Sequence, residues 1–201
     1  MNIRRGYSLK RPVDIVLAVV LLGLLLPVIA LLMVVVIFKS GRPALFVQQR
    51  VGRFQKNFFC FKLRTMGNNT GNLPSHMVDK KAITPVGSFL RKYKLDELPQ
   101  LFNVLKGEMS FVGPRPCLPQ QTVLVEARRE RGIYDLYPGI TGLAQINQID
   151  MSDPVKLAEC DTRYMENQSL LLDLKILLAT LFGKGLRSDA ALKARDEEFQ
   201  E

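Results

Sequence analysis

The uncharged run IVLAVVLLGLLLPVIALLMVVVIF, from Ile15 to Phe38, decides the fold of this chain. Its 24 residues would extend about 36 Å as a helix, enough to cross a hydrocarbon core of roughly 30 Å. No small-x-small cleavage site follows the run, which disfavours a secretory signal peptide. A buried helix of a soluble protein is rarely so long and so uniformly apolar. The run therefore predicts a helix inserted into a membrane.

The topology of this helix depends on Pro27, which lies in its middle. Proline has no N–H, so the carbonyl of Gly23 loses its helical partner and a kink is expected. Basic residues favour the cytoplasmic face and flank both ends. A helix bent at Pro27 would enter and leave by that face, whereas a kinked transmembrane helix would not; the residues alone leave both open. The flanking basic residues are Arg4, Arg5, Lys10, Arg11, Lys39, Arg42, Arg50 and Arg53.

The charge balance of the chain points to an anionic partner. The 201 residues include 28 Lys and Arg against 19 Asp and Glu, a formal net charge of +9. Residues 188–201 form an acidic tail of charge −3, expected to be poorly ordered, so the preceding 187 residues are near +12. A body this basic suits a membrane surface, a nucleic acid or a phosphorylated substrate.

Histidine and cysteine usage disfavours several kinds of catalysis. His76 is the single histidine, so Ser-His-Asp and Cys-His catalysis and histidine-rich zinc sites are not expected. Cys60, Cys117 and Cys160 have no metal-site spacing and fit small buried residues in a reducing cytosol. If the chain is an enzyme, it must use carboxylates, Lys and Arg, or a metal held by oxygen.

Two β-strands are predicted over residues 44–51 and 58–65, joined by a polar turn. Strand alternation places Lys62 and Arg64 on one face, about 6.6 Å apart, a spacing that could grip a diphosphate. A solvated basic face is the alternative. An exposed loop is expected over residues 67–83 because Gly, Asn, Ser and Lys are frequent there.

The stretch KLDELPQLFNVLKG, Lys94 to Gly107, places two carboxylates side by side at the start of a predicted helix. Asp96 suits the N-cap and Glu97 the first turn, although Pro99 favours a start one or two residues later. Gly107 suits the C-terminal cap. Capping alone explains both carboxylates, and catalysis is the competing interpretation. The expected apolar stripe is Leu98, Leu101, Phe102 and Leu105.

Three further segments are suggestive. Pro114 and Pro116 fix the backbone on both sides of Arg115, which favours anion binding by this guanidinium. The turn over residues 137–142 has glycines that permit close approach to a ligand. Apolar residues at helical spacing over residues 169–182 predict a helix that is either packed in the core or lying flat on a membrane.

Together these segments resemble the bacterial sugar transferases, the monotopic phosphoglycosyl transferases. The matching motifs occur in the order of the family and cover nearly the whole chain beyond residue 10. Their ordered set is far more specific than any one of them. They are Phe46-x-Gln48-x-Arg50-x-Gly52, Phe61-Lys-Leu-Arg-Thr-Met66, Val86-Gly-x-Phe-Leu-Arg91, Leu95-Asp-Glu-Leu-Pro-Gln-Leu-x-Asn-Val-Leu-Lys-Gly107, Met109-Ser-x-Val-Gly-Pro-Arg-Pro116, Pro138-Gly-Ile-Thr-Gly-x-Ala-Gln145 and Ser169-x-x-x-Asp-x-Lys175.

The resemblance implies a fold and a reaction. It implies a mixed, mostly helical α/β monotopic protein of the bacterial inner membrane, with a cytoplasmic catalytic body, a β-hairpin and interfacial amphipathic helices that contact phospholipid. A sugar 1-phosphate, expected from the UDP derivative of an N-acetylated amino sugar, would pass to undecaprenyl phosphate. UMP would be released and Mg²⁺ required, in the first membrane step of O-antigen, capsule or glycoprotein glycan assembly. The resemblance leaves open whether the protein forms a homodimer.

The resemblance also assigns residues. Asp96 would be the nucleophile that forms a covalent phosphosugar intermediate, and Glu97 would hold Mg²⁺ with it. Pro27 would break a re-entrant helix hairpin in residues 1–40, before a transferase domain in residues 41–187 and the tail. Leu143 and residues 147–151 depart from common family patterns, so the resemblance does not fix the sugar preference. Expected phosphate ligands are Arg115, Lys62, Arg64 and Arg91, and the expected substrate or nucleotide region is Gly139, Thr141, Gln145 and Asp161.

Two other functions compete with this one. A non-catalytic, membrane-anchored basic scaffold could bind anionic lipid, in which case Asp96 and Arg115 would be dispensable. Nucleic-acid binding suits the charge, but the chain has no recognisable nucleic-acid module and the apolar run argues against it. We therefore expect no nucleic-acid partner.

Overall fold

The computed structural model describes residues 8–67 and 82–183. Most of the loop predicted over residues 67–83, His76, and the acidic tail of residues 188–201 lie outside the described residues. The described part is a mixed α/β structure in which helices predominate over two small two-stranded sheets.

Helix α1 spans Lys10–Ser40 and contains the whole apolar run. Pro27 lies inside it, and the backbone stays helical on both sides, so the expected division into two helical segments is not observed. The missing N–H removes one hydrogen bond from a long ladder, and the remaining bonds keep the helix continuous. One narrow stripe of α1 is buried against the body: Asp14, Ala18, Leu22, Ile29 and Val36.

The predicted hairpin is confirmed. Strand β1, Leu45–Val51, pairs with β2, Asn57–Leu63, in antiparallel register. The tight turn between them includes Phe54 and Gln55, both with positive φ. A second sheet pairs β3, Ser110–Val112, with β4, Gly139–Thr141, in parallel.

Helices surround the two sheets. Helix α2, Pro85–Lys92, precedes a short 3₁₀ turn at Leu95–Glu97, and α3 follows at Gln100–Lys106. Gly107 ends α3 with φ of 81°, as predicted. The remaining helices are α4, Thr122–Glu130; α5, Leu143–Ile146; α6, Pro154–Asn167; and α7, Leu170–Leu181.

Helix α3 packs on the hairpin differently from the sequence expectation. Leu101 and Val104 are buried, but Phe102 and Leu105 are exposed, so the predicted stripe is wrong in part. The reason is Asn103, which is fully buried and whose side-chain amide forms hydrogen bonds with the backbone of β2. Its Nδ2 donates to the carbonyl of Phe59 at 2.7 Å, and its Oδ1 accepts from the backbone N–H of Phe61 at 3.1 Å. These bonds rotate α3 so that a polar side chain faces β2.

The main core lies between α1, α3, β3, α6 and α7. It joins apolar side chains of α1, such as Leu22, to Val104, Phe111, Tyr164 and Ile176. A second cluster lies between α4 and α6, and a third closes the C-terminal end of α1 against α2 and the hairpin. The three cysteines are free and buried within these clusters or their edges, which confirms their interpretation as small buried residues.

Candidate active site

Asp96 and Glu97 lie in the 3₁₀ turn between α2 and α3, not at the cap of α3. Helix α3 begins four residues after Asp96, and its N-terminus has no side-chain cap. The capping interpretation is therefore wrong. The helix starts later than Glu97, as expected, but by three residues, and Leu98 before Pro99 keeps right-handed helical angles, so the predicted cause of the later start is wrong. The exposed fractions of Asp96 and Glu97 are 9% and 8%. Two adjacent buried carboxylates are costly in a fold unless cations accompany them.

Glu97 has two cationic partners. Its Oε1 accepts a hydrogen bond from Lys62 Nζ at 2.7 Å and another from Arg115 NH2 at 2.9 Å. Burial by itself raises the pKa of Glu97, but the charges of Lys62 and Arg115 outweigh it and hold that pKa well below its usual value. The two contacts therefore fix the Glu97 side chain and favour its ionised form.

Asp96 is in the opposite situation. Its side chain makes no hydrogen bond to any described residue, although it is equally buried. Burial raises the pKa of Asp96, and the neighbouring negative charge of Glu97 raises it further, against the opposing charges of Lys62, Arg91 and Arg115. The pair thus consists of one carboxylate held by cations and one whose oxygens are available to another group.

The predicted phosphate ligands divide into two groups. Lys62, on β2, and Arg115 both contact Glu97. Arg91, on α2, donates from Nε to Thr65 Oγ1 at 2.9 Å, and its charge acts on Asp96. Arg64 lies beyond the end of β2 and donates from NH1 to the carbonyl of Arg42 at 3.0 Å. The structure therefore brings Lys62, Arg91 and Arg115 to the carboxylates, and it holds Arg64 at another backbone group.

Lys94 is a further cation that the sequence analysis missed. It directly precedes the 3₁₀ turn with φ of 54°, a left-handed conformation that favours glycine. Burial lowers the pKa of Lys94, while Glu97 and Asp96 act in the opposite direction. The signal available in the sequence was the position of Lys94 two residues before Asp96. Four cations thus surround two carboxylates, which leaves surplus positive charge for an anion.

The segment that carries Arg115 is held at four consecutive carbonyls. The carbonyl of Pro114 accepts from Gly139 N at 2.9 Å, and that of Arg115 accepts from Arg128 NH1 at 2.8 Å. The carbonyl of Pro116 accepts from Arg50 NH1, and that of Cys117 accepts from Val51 N, both at 2.9 Å. The predicted rigid presentation of the Arg115 side chain is therefore supported by hydrogen bonds as well as by two prolines.

Asp161 contacts Arg128, whose guanidinium also donates to the carbonyl of Arg115. Its Oδ2 accepts from Arg128 Nε at 2.9 Å and from Arg128 NH2 at 2.7 Å, and both side chains are buried. The place of Asp161 in the substrate region stays a prediction, and in the structure its carboxylate holds Arg128. Arg128 and Arg50 were missed as site residues, although Arg50 belongs to a matched motif. Burial lowers the pKa of Arg50 to about 10, with a further contribution from Arg115.

The other residues predicted near the nucleotide have structural partners. Gly139 approaches Gly113 so closely that an added Cβ would lie 2.2 Å from its nitrogen. Thr141 is buried and shares a hydrogen bond of 2.7 Å with the hydroxyl of Thr180. Gln145 donates to the carbonyl of Ile140, while its buried Oε1 has no hydrogen-bond partner. Gly139 and Thr141 therefore stabilise the fold, and Gln145 retains a free acceptor.

The carboxylate pair suits one mode of magnesium binding. Among the described residues, no group of three or more His, Cys, Asp or Glu could hold a metal ion. Mg²⁺ is commonly held by one or two carboxylates together with substrate phosphates and water. Both hydrogen bonds of Glu97 fall on Oε1, and Asp96 makes none. The two side chains therefore fit Mg²⁺ that a phosphorylated substrate helps to coordinate.

Two apolar surfaces border the body. Within the described residues, α1 alone is long and apolar enough to cross a membrane, with 17% of its most apolar window buried. Helix α7 buries Asp173 and Ile176, packs Leu172 and Leu177 against the main core, and exposes its other leucines. Asp173 accepts from Lys10 Nζ at 2.5 Å and from the Tyr164 hydroxyl at 2.7 Å. The exposed large apolar residues of α7 and its cap are Leu170, Leu171, Leu174, Leu178, Leu181 and Phe182.

Comparison with known proteins identifies the family. The bacterial sugar transferase family matches residues 5–185. The chain therefore belongs to this family, and the expected enzyme class, a phosphoglycosyl transferase, is confirmed.

Three relatives illustrate the similarity. The chain is 40% identical to the uncharacterized sugar transferase EpsL of Bacillus subtilis, with 86% of the chain and 85% of EpsL covered. It is 36% identical to the exopolysaccharide production protein ExoY of Sinorhizobium fredii, with 86% of the chain and 83% of ExoY covered. It is also 37% identical to a UDP-N-acetylgalactosamine-undecaprenyl-phosphate N-acetylgalactosaminephosphotransferase of Aeromonas hydrophila, covering 86% of the chain and 43% of that protein.

Proposed function

We propose that the chain transfers a sugar 1-phosphate from a UDP-sugar to undecaprenyl phosphate through a covalent intermediate on Asp96, releasing UMP. The name of the Aeromonas hydrophila relative, which includes such a donor and acceptor, supports this substrate class. We expect the donor sugar to be an N-acetylated amino sugar. The name of the Sinorhizobium fredii relative supports a role in extracellular polysaccharide assembly.

The observation that carries this proposal is the asymmetry of the carboxylate pair. Asp96 is buried and makes no hydrogen bond to a described residue, whereas Glu97 is held by Lys62 and Arg115. A poorly solvated carboxylate without hydrogen bonds is a better nucleophile than a paired one. The surrounding cations reduce the repulsion between this carboxylate and the negative oxygens of a diphosphate. The arrangement therefore favours attack by Asp96 over attack by Glu97.

The reaction proceeds in two halves. An oxygen of Asp96 attacks the phosphorus that bears the sugar, and the bond between that phosphorus and the oxygen of UMP breaks. UMP leaves with the bonding electron pair, and an acyl phosphate remains on Asp96. An oxygen of undecaprenyl phosphate then attacks the same phosphorus, and Asp96 leaves as a carboxylate. Two bulky substrates can thus use one site in turn.

In this reaction Lys62 and Arg115 would also contact the phosphates of the donor. Each is bonded to Glu97 before substrate arrives, so its side chain is already ordered. Glu97 and Asp96 would hold Mg²⁺, which when bound neutralises negative charge on the diphosphate. Arg91 and Lys94 add positive charge on the side of α2 and the 3₁₀ turn.

We propose that the protein enters the cytoplasmic face of the inner membrane without crossing it. Near the N-terminal end of α1, Arg11 donates to the carbonyl of Val104 at 2.6 Å. At the other end, Val36 is buried in the cluster that includes Leu90, and Ser40 Oγ donates to Thr84 Oγ1 at 3.2 Å. Since both ends contact the same body, a membrane-crossing α1 would require the body to cross as well. The exposed leucines of α7 would lie in the same lipid layer.

Mass spectrometry of the intact protein tests the chemistry. After incubation with UDP-N-acetylgalactosamine and Mg²⁺ alone, the wild type should carry one phosphosugar that maps to Asp96, with release of UMP. Asp96→Asn should carry none, whereas Glu159→Gln, at an exposed carboxylate of α6, should react as the wild type does. A panel of UDP-sugars assayed for UMP release then defines the sugar. Full turnover by Asp96→Asn would refute the proposed nucleophile.

Labelling of introduced cysteines tests the topology. Ser8→Cys and Lys39→Cys lie at exposed positions near the two ends of α1, and the three native cysteines are buried. In sealed vesicles, a membrane-impermeant maleimide should reach both introduced cysteines from the same side. Access from opposite sides would refute insertion from one face and leave the proposed chemistry untouched.

A further inference from the structure

We propose that the buried ion pair of Arg128 and Asp161 is a positioning element for Arg115. This inference rests on the proposed function, in which Arg115 contacts the phosphates of the donor. Neither residue of the pair contacts Asp96 or Glu97 in the structure. Their effect on the reaction would pass through the backbone of Arg115.

The geometry of Arg128 supports this assignment. Its Nε and NH2 both donate to Asp161 Oδ2, which fixes the plane of the guanidinium. Its remaining terminal nitrogen, NH1, donates to the carbonyl of Arg115 at 2.8 Å. Arg128 is on α4 and Asp161 on α6, so the pair joins two helices to one peptide group of the Arg115 segment.

Stability alone does not explain a pair at this place. The side chains of Arg128 and Asp161 are 2% and 4% exposed. Well-packed apolar residues often replace such a pair without loss of stability, because two charges must be removed from water. An apolar pair could not, however, donate a hydrogen bond to the carbonyl of Arg115. An arginine is therefore needed here to hold the carbonyl of Arg115 in a fixed position.

A second buried arginine acts on the next residue in the same way. Arg50 NH2 donates to Gln48 Oε1 at 2.5 Å, and Arg50 NH1 donates to the carbonyl of Pro116 at 2.9 Å. Both arginines are thus fixed by a neighbour and directed at consecutive carbonyls. The Arg115 side chain extends from this fixed backbone to Glu97. Two separate arginines therefore fix the backbone position of the Arg115 segment.

The expected effect is on rate, since a displacement of about 1 Å at a catalytic group can cost roughly a hundredfold. The double variant Arg128→Met with Asp161→Leu removes both charges together and so leaves neither one buried without a partner. It should form the Asp96 adduct from donor alone about 10- to 100-fold more slowly, with full final amplitude. A purely structural defect would instead lower the amplitude, since fewer molecules would be active.

A double-mutant cycle tests whether the effect passes through Arg115. In an Arg115→Ala background, the Arg128→Met and Asp161→Leu changes should cause no further loss of rate. If the rate losses of the Arg115 variant and of the Arg128 and Asp161 changes instead multiply, the inference is wrong, although the proposed reaction still holds. A wild-type rate for Arg115→Ala alone would overturn the proposed role of Arg115, and the inference with it.

Two further variants keep the test decisive. Arg128→Lys retains the charge beside Asp161 but lacks the fork, so it should fold and still lose rate, even if the double variant does not fold. A wild-type rate in folded Arg128→Lys would overturn the inference. Arg129→Met is the matched control, because Arg129 is next on α4 and pairs with Glu126 at the surface. It should form the adduct at the wild-type rate.

Discussion

The two adjacent carboxylates should have opposite effects on stability when each is neutralised. Asp96→Asn should raise the melting temperature, and Glu97→Gln should lower it. The structural reason is that Glu97 is bonded to two cations, whereas Asp96 is buried without a hydrogen bond to a described residue. The directions of their pKa changes, raised for Asp96 and lowered for Glu97, lead to the same expectation.

The size of the Glu97 effect follows from its partners. Removing one member of a buried ion pair costs about 3–5 kcal/mol. The side chains of Lys62 and Arg115 are 18% and 36% exposed, so water screens part of the loss and we expect ~2–3 kcal/mol. At about 2–4 °C per kcal/mol for a chain of this size, the melting temperature should fall by roughly 4–12 °C.

The Asp96 effect should be smaller and opposite in sign. Neutralising a buried carboxylate that lacks hydrogen bonds relieves a desolvation penalty, but it also removes attraction to the nearby cations. We expect a net gain of ~1–2 kcal/mol, which corresponds to roughly 2–8 °C. Turnover should nevertheless fall by at least about 10³-fold, because the nucleophile is lost.

The stability difference should depend on pH. The folded-state pKa of Asp96 is raised above its usual value, so its ionised form opposes folding at higher pH and its protonated form does not. Asp96→Asn should therefore be more stable than the wild type at neutral pH. This advantage should shrink as the pH falls through the folded-state pKa of Asp96 and disappear below the unfolded-state pKa.

Thermal unfolding followed by far-ultraviolet circular dichroism can measure these differences, since the chain has no tryptophan for fluorescence. The proteins should be in one detergent, with a chelator present so that metal binding does not contribute. Glu159→Gln, an exposed carboxylate, should change the melting temperature little. A lower melting temperature for Asp96→Asn, or a higher one for Glu97→Gln, would refute the charge assignment described above.

Further variants test the packing, the site and the membrane surface. Asn103→Leu should lose ~3 kcal/mol and roughly 6–12 °C in the same thermal assay, because two part-buried backbone groups of β2 lose their partners. Lys62→Met should slow adduct formation by about 10²-fold or more in the mass-spectrometric assay; an unchanged rate would exclude Lys62 from the phosphates. Leu171→Asn, on α7, should weaken sedimentation with anionic vesicles, whereas Val123→Asn, equally exposed on α4, should not.

The features that the sequence predicted well depend on nearby residues. The hairpin follows from alternation over two short runs, and the end of α3 follows from one glycine. The long apolar helix follows from composition alone. In each case the deciding interactions occur within a few residues, so a single sequence contains the necessary information.

The features that the sequence missed depend on contacts between distant residues. Glu97 accepts hydrogen bonds from Lys62, which is 35 positions away in the sequence, and from Arg115, which is 18 positions away. Arg128 and Asp161 are 33 positions apart, and nothing near either residue signals the pair. Capping was a reasonable local interpretation of Asp96, but burial by remote elements gave it another environment. Family resemblance selected the two carboxylates as candidate site residues, and the structure gives their side chains different environments.

Helix α3 connects the membrane segment to the chemistry. The carboxylate pair directly precedes its N-terminus, and Arg11 of α1 donates to the carbonyls of Val104, near its C-terminus, and of Met109, just beyond it. A cation at this end also complements the helix dipole. If α1 inserts into lipid as proposed, its depth would set the depth of the carboxylates through this short helix. An acceptor phosphate on a lipid tail is confined to the membrane surface, so under this proposal Asp96 would meet it without movement of the body.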